Sequence, residues 1–254
     1  MDTKKIVKDQ FDKQAEKFSN WSITKNLEYQ QRYFEFCGMV PEDTLLDVAC
    51  GSGEFSIFCA KRIKYVCGVD LSEKMIELAE AQVVATKLNN IHFTCNDVEN
   101  IPVEDDTFSI VVCKSAFHHF LNYETVFSEM IRGCKRDGRI SIQDIVSYDD
   151  NRANDFFERL EKEIDKSHNK ALSKEHLTDL FRRNKIKILR TYELEIELNF
   201  NEYVNHAIQS KANLENISHL VDGGLNDQDI SPYFTTINDE LFFKRKVFLI
   251  LGEK

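Results

Sequence analysis

Nine consecutive residues, Leu45-Leu46-Asp47-Val48-Ala49-Cys50-Gly51-Ser52-Gly53, constrain this chain more than any other stretch. An apolar run ending in two glycines reads as a strand that delivers its backbone into a tight turn, where the missing side chains let a ligand approach the main chain. A segment of helical period follows, with Phe55, Phe58, Cys59 and Arg62 spaced along Glu54 to Ile63. The dinucleotide fingerprint G-x-G-x-x-G would need a third glycine where Ser56 stands. Asp47, just before the glycines, adds a carboxylate suited to a ligand that carries an ammonium group, which a dinucleotide does not.

From Thr44 to Ser147 short apolar runs alternate with amphipathic segments, the pattern of repeated strand-helix units and a largely parallel sheet. Tyr65 to Asp70 is the second strand. Ser72 is placed to cap a helix whose Met75, Leu78, Ala79 and Val83 share a face. Ile91 to Cys95 forms the third strand, Phe108 to Cys113 is apolar enough for a central one, and Arg139 to Ile145 is the fifth. Beyond it, Asn151 to Ser167 reads as a helix, Ser173 caps another through Arg183, and Ile186 to Leu198 alternates with period two as a long antiparallel strand. Lys246 to Leu251 is the last strand. Between those two, 199–241 is too long and too helix-like for a hairpin turn and reads as an inserted lid, with Phe200, Tyr203, Phe234 and the flexible pair Gly223-Gly224. Helices over Lys4 to Phe18 and Lys25 to Cys37 precede the first strand. The expected organisation is one domain over 1–254, with a helical cap at 1–40, a ligand-binding core at 41–147 and a C-terminal half at 148–254 carrying the lid.

Charge narrows the partners. Thirty-three basic against 43 acidic side chains leave a net charge of -10, which repels phosphate backbones, so nucleic acid is not an expected partner. Met1 to Lys8 has no apolar core of signal-peptide type and no later run is long enough to span a bilayer, so a cytoplasmic protein without stable membrane insertion is expected. The 7 cysteines form no C-x-x-C pair and most sit in apolar runs, where a thiol serves as a small hydrophobe. A thiol relay for arsenite is the sharper alternative, with Cys37 and Cys50 as its nearest candidates; no resident metal is expected.

Three further signals follow the glycine turn in order. Asp70 ends the second strand, where a carboxylate can accept hydrogen bonds from both hydroxyls of a ribose. Asn96-Asp97-Val98 closes the third strand and could meet the edge of an adenine. Asp105 to Val112 leads into Phe117-His118-His119-Phe120 beyond the fourth strand. With Leu45 to Gly53, Gly68 to Ser72, Asn96 to Pro102 and this fourth stretch, the chain resembles the class I S-adenosylmethionine-dependent methyltransferases, in the small-molecule branch that includes the ubiquinone and menaquinone biosynthesis enzymes. The likeness covers roughly Phe11 to Val146.

The resemblance implies a Rossmann-like α/β sheet of seven mostly parallel strands with the last antiparallel, helices on both faces, S-adenosylmethionine as cofactor and S-adenosylhomocysteine as product. It implies cofactor contacts at Asp47, Ala49, Gly51, Gly53, Asp70, Leu71, Met75, Asn96, Asp97, Val98, Lys114 and Ser115. Lys114 departs from the family pattern, as does Asp137 where a proline is usual. Methyl transfer is an in-line displacement in which positioning does most of the work. A base helps when the acceptor must lose a proton, and His118 and His119 are the candidates. Phe18, Trp21, Phe117, His168 and Tyr203 are expected around a small, partly apolar acceptor, although a solvated loop is the default surrounding for His168. Quinone-ring C-methylation and a cofactor-binding protein without transfer activity are the alternatives. Base methylation of nucleic acid lacks its N/D-P-P-Y motif at Cys113 to Phe117. Oligomeric state is not legible.

Overall fold

The computed structural model describes residues 3–254; Met1 and Asp2 of the opening stretch lie outside the described residues. The chain begins with α1 (Thr3–Asn20) and α2 (Leu27–Phe36) and then enters the alternating core: β1 (Thr44–Val48), α3 (Glu54–Ala60), β2 (Tyr65–Asp70), α4 (Glu73–Thr86), β3 (Ile91–Cys95), β4 (Phe108–Lys114), α5 (Tyr123–Gly133) and β5 (Cys134–Ile145). The C-terminal half adds α6 (Asn151–Ile164), α7 (Lys174–Arg183), β6 (Lys187–Asn199), α8 (Phe200–Asn205), α9 (Lys211–Leu225), β7 (Phe234–Ile237) and β8 (Glu240–Glu253).

The strands form one sheet in the order β3-β2-β1-β4-β5-β8-β6, parallel from β3 through β5. β8 runs antiparallel to both β5 and β6. Strand order reverses at β1, whose neighbours are β2 and β4, and the crevice at the carboxyl ends of such a pair is where open α/β sheets bind ligands. One apolar cluster packs α5 and α7 on the sheet through Val126, Phe127, Met130 and Phe181. Another packs α2 and α3 on its opposite face through Tyr33, Phe55 and Phe58.

Local signals explain the boundaries. Ser72 Oγ accepts from the Met75 N–H, and Ser173 Oγ from the His176 N–H, so both helices start at the expected hydroxyls. Three expectations are corrected. The sheet has eight strands rather than seven, because β7 pairs with the first half of β8 through a two-residue turn at Asn238-Asp239. Both turn residues have positive φ (51° and 65°), the backbone that asparagine and aspartate tolerate in tight hairpins. The 199–241 segment is therefore partly strand, and the last strand begins at Glu240 instead of Lys246. Gly224 is no flexible joint either: it is buried in α9, where a Cβ would lie 2.6 Å from Phe156 Cζ. The glycine is there for close packing.

Among the described residues no helix is long and apolar enough to cross a membrane. All seven cysteines are free thiols. Five are buried, Cys50 is partly so, and Cys95 is exposed.

Candidate active site

A cavity of about 420 Å³ opens at the carboxyl ends of β1 and β4 and continues between α1, α6, α8 and β8. Its outer half is built by the glycine turn. Ala49 and Gly51 both have positive φ (57° and 56°), and the bend turns the Gly51 N–H onto Asp70 Oδ2 at 2.8 Å. The other oxygen of Asp70 accepts from the Ser72 N–H at 2.9 Å. Burial pushes the Asp70 carboxyl up while these backbone donors pull it down, and the net direction is up. A carboxylate oxygen has lone pairs beyond one donor each, so Asp70 keeps capacity for ligand hydroxyls.

Asp47 is 2% exposed and receives one side-chain hydrogen bond, from Ser56 Oγ at 2.5 Å. Burial raises its carboxyl to about 6, against the Ser56 hydrogen bond and the nearby Lys114 charge. A buried carboxylate with so few donors suits a cationic ligand group. Lys114 itself lies with Nζ 5.3 Å from the centre of the Tyr29 ring, and burial lowers its pKa. Asp97 receives the Glu99 N–H on Oδ1 (2.9 Å) and Lys4 Nζ on Oδ2 (2.6 Å), and Lys4 also pairs with Glu99 at 2.7 Å. Farther along α1, Asp12 accepts from Ser72 Oγ at 2.6 Å, so the helix is tied to the second and third strand ends across the cavity mouth.

The inner half is aromatic and carries the histidines. Phe18 and Trp21 meet edge to face at 6.2 Å, and Trp21 stacks on His206 at 4.6 Å with 15° between the planes. Tyr203 lies 5.5 Å from Trp21 and gives its hydroxyl hydrogen to Glu161. His118 sits in a short 3₁₀ turn at Phe117–His119. Its ring Nδ1 is 2.6 Å from Asp144 Oδ1, its backbone N–H donates to Oδ2 at 2.9 Å, and its carbonyl accepts the Asn169 and Lys170 N–H groups. The Asp144 contact assigns the Nδ1–H tautomer and leaves Nε2 with the open lone pair. Burial works against charging His118, but the Asp144 charge and hydrogen bond outweigh it, and its pKa is raised. His119 behaves oppositely: burial, with the adjacent His118, takes it down to about 3. Its Nδ1 is 3.0 Å from Ser167 Oγ, which passes a hydrogen to Asp165 Oδ1 at 2.6 Å. Two neighbouring histidines thus have separate partners and opposite shifts, and only His118 has a carboxylate on its ring.

Most of the expected site residues come together on this cavity. Its wall includes Asp47, Ala49, Gly51, Asp70, Leu71, Asp97, Val98, Lys114, Ser115, His118, His119, Phe18, Trp21, His168 and Tyr203. Four do not reach it. Gly53 caps α3 with φ 81°, and a Cβ there would lie 2.6 Å from Phe93 Cζ, so its role is fit against β3 and α4. Met75 is fully buried in α4, Asn96 turns its Oδ1 to the Asp97 N–H, and Phe117 packs in the sheet core against Phe120. His168, expected in a solvated loop, is 6% exposed and has Nε2 3.2 Å from Glu158. The thiol relay is not assembled: Cys37 packs in the core beside Tyr33, and burial raises both its thiol and that of Cys50.

Sequence reading missed Tyr29, Asp144, Glu161, Asp165, His206 and Arg245. Asp144 closes a strand but gives no sign of its partner 26 residues earlier. Arg245 did leave a signal. Phe243, Arg245, Val247 and Leu249 alternate on one buried face of β8, and a charge at such an inward position marks a site or a paired ion. Starting the strand at Lys246 hid it.

The sheet order and the carboxylates at the ends of β1 and β2 are those of the class I S-adenosylmethionine-dependent methyltransferase fold. More particularly, residues 46–142 match the family described as "Methyltransferase domain". The chain is 24% identical over 220 residues to the uncharacterized methyltransferase YcgJ of Bacillus subtilis, covering 84% of this chain and 85% of that one. The solved YcgJ structure superposes with a TM-score of 0.80 at 21% identity, covering 90% of this chain and 99% of the other. A demethylmenaquinone methyltransferase of Thermotoga maritima is 28% identical over 150 residues, 57% of this chain and 63% of its own length. S-adenosylmethionine is the cofactor of this class, and the donor-poor Asp47, the bent Gly51 main chain and the open capacity of Asp70 fit its ammonium and ribose.

Proposed function

We propose that this protein transfers the methyl group of S-adenosylmethionine to a small, partly apolar acceptor held in the aromatic inner half of the cavity. The observation that carries this reading is the His118–Asp144 pair on the wall of the same cavity that the glycine turn lines. Asp47, Gly51, Asp70, Leu71, Asp97 and Val98 would hold the cofactor. When bound, it supplies a methyl carbon activated by an adjacent sulfonium and departs as a neutral thioether.

Phe18, Trp21 and Tyr203 orient the acceptor and keep water from it, and alignment for an in-line displacement is the larger part of the acceleration. His118 Nε2 takes the proton that the acceptor atom gives up as its new bond to carbon forms. Asp144 positions the ring and stabilises the imidazolium that results. A neutral His118 is needed, so turnover should rise as pH climbs through its raised pKa. The test is labelled-methyl transfer over a panel of phenols, thiols, amines and enolisable ketones, measured against pH. His118→Asn should lower kcat by about 10²–10³, while Asp144→Asn lowers it less and moves the rising limb toward lower pH. Equal kcat in wild type and His118→Asn would remove the base from the mechanism.

Ring C-methylation of a quinol is a second reading, supported by the demethylmenaquinone methyltransferase likeness. A quinol ring in the panel separates it from the first.

A further inference from the structure

Among the described residues, three buried side-chain polar atoms have no hydrogen-bond partner: Arg245 Nε, Arg245 Nη2 and His168 Nδ1. Both residues line the cavity described above. Buried polar groups are almost always paired, and an unpaired one costs its full desolvation, so several of them on a cavity wall are a set of contacts waiting for a ligand. We propose that the methyl acceptor carries a neutral carbonyl oxygen on an otherwise apolar frame and that the Nε/Nη2 edge of Arg245 binds it. The inference rests on the acceptor occupying the inner half of the cavity.

The guanidinium is 98% buried, on the strand position that pairs with Ile196 of β6. Its nearest carboxylate is Glu161, with Oε1 3.3 Å from Nε but outside hydrogen-bonding alignment, and with Oε2 taken by the Tyr203 hydroxyl. Nε and Nη2 are neighbours on one edge of a planar fork, spaced to grip one or two oxygens, and arginine can only donate. The partner must therefore present an acceptor atom. Charge decides which kind. Glu161 already neutralises Arg245, and the cavity wall also carries Asp165, whose pKa is lowered despite burial, with the Ser167 hydroxyl and N–H both donating to its Oδ1. A carboxylate ligand at the fork would add a further negative charge beside Glu161 and Asp165, with the Lys114 ammonium away against Tyr29 in the other half of the cavity, whereas a carbonyl completes the fork at no such cost. Trp21, His206 and Val247 supply the apolar surroundings for the rest of the molecule. His168, donating Nε2–H to Glu158, keeps an Nδ1 lone pair for a donor on the same ligand.

The test uses three probes of one shape, acetophenone, benzoate and ethylbenzene, with ligand-observed NMR on the full chain saturated with S-adenosylhomocysteine. Acetophenone should bind about tenfold more tightly than ethylbenzene, and benzoate should bind no better than ethylbenzene. Arg245→Met alone strands Glu161, so the comparison variant is Arg245→Met with Glu161→Gln, checked for an unchanged melting temperature and S-adenosylhomocysteine affinity. The tenfold preference should vanish there. A preference that survives in the double variant, or benzoate binding more tightly than acetophenone, overturns the proposal. Since binding is read without turnover, a carbonyl preference in a protein that methylates nothing would refute the transfer reading and leave this site standing. Methylation of acceptors that lack any carbonyl preference would do the reverse.

Discussion

The half of the cavity proposed for the cofactor comes mainly from one stretch, Asp47 to Ser115, whereas the half proposed for the acceptor draws Phe18, Trp21, His168, Tyr203, His206 and Arg245 from both ends of the chain. The first half satisfies its polar groups largely with its own backbone: Asp70 takes the Gly51 and Ser72 N–H groups, and Asp97 takes that of Glu99. The second leaves side-chain atoms unpartnered. A site for one fixed cofactor can be finished in advance. A site specific to one acceptor is completed by that acceptor, and the open donors record its chemistry.

The comparison is broken most severely at Asp70. Asp70→Ala removes the acceptor of the Gly51 N–H along with the hydroxyl contacts, and should weaken S-adenosylhomocysteine by about a hundredfold, roughly 2.7 kcal/mol, in a calorimetric titration. A loss under threefold would mean that the turn does not depend on this carboxylate. Asp47 sharpens the comparison with a smaller effect. Burial holds its carboxyl at about 6, above its ordinary value, so it is protonated below that pH and cannot pair with an ammonium. Affinity for S-adenosylhomocysteine should therefore fall by about tenfold per pH unit as pH drops below 6, the limit for one required ionisation. Asp47→Asn should flatten that dependence; an unchanged slope would assign it to another group.

The same contrast explains what the sequence made legible. The capping hydroxyls Ser72 and Ser173 act within three residues of their place in the chain, and Gly51, Asp47, Asp70 and Asp97 stand at the ends of successive strands, so spacing and order reveal them. Arg245, Glu161 and Tyr203 meet only because β8, α6 and α8 pack together, and no local period encodes that meeting. The hairpin Ile237 to Glu240 was readable in principle from Asn238-Asp239 but was masked by the helical spacing of Tyr203, Val204, Ala207 and Ile208 earlier in the same segment. Gly53 shows a third case: the sequence marked it, yet its task is to admit Phe93 rather than to touch the ligand.

The most direct check on the division of the cavity is S-adenosylhomocysteine affinity, by calorimetry at pH 7.5 or above, about 1.5 units over the Asp47 value, in His118→Asn and Tyr203→Phe. Both residues belong to the acceptor half, so both variants should bind within about twofold of wild type, less than 0.5 kcal/mol. A loss of tenfold or more in either would contradict the account, because it would make the inner wall part of the cofactor site.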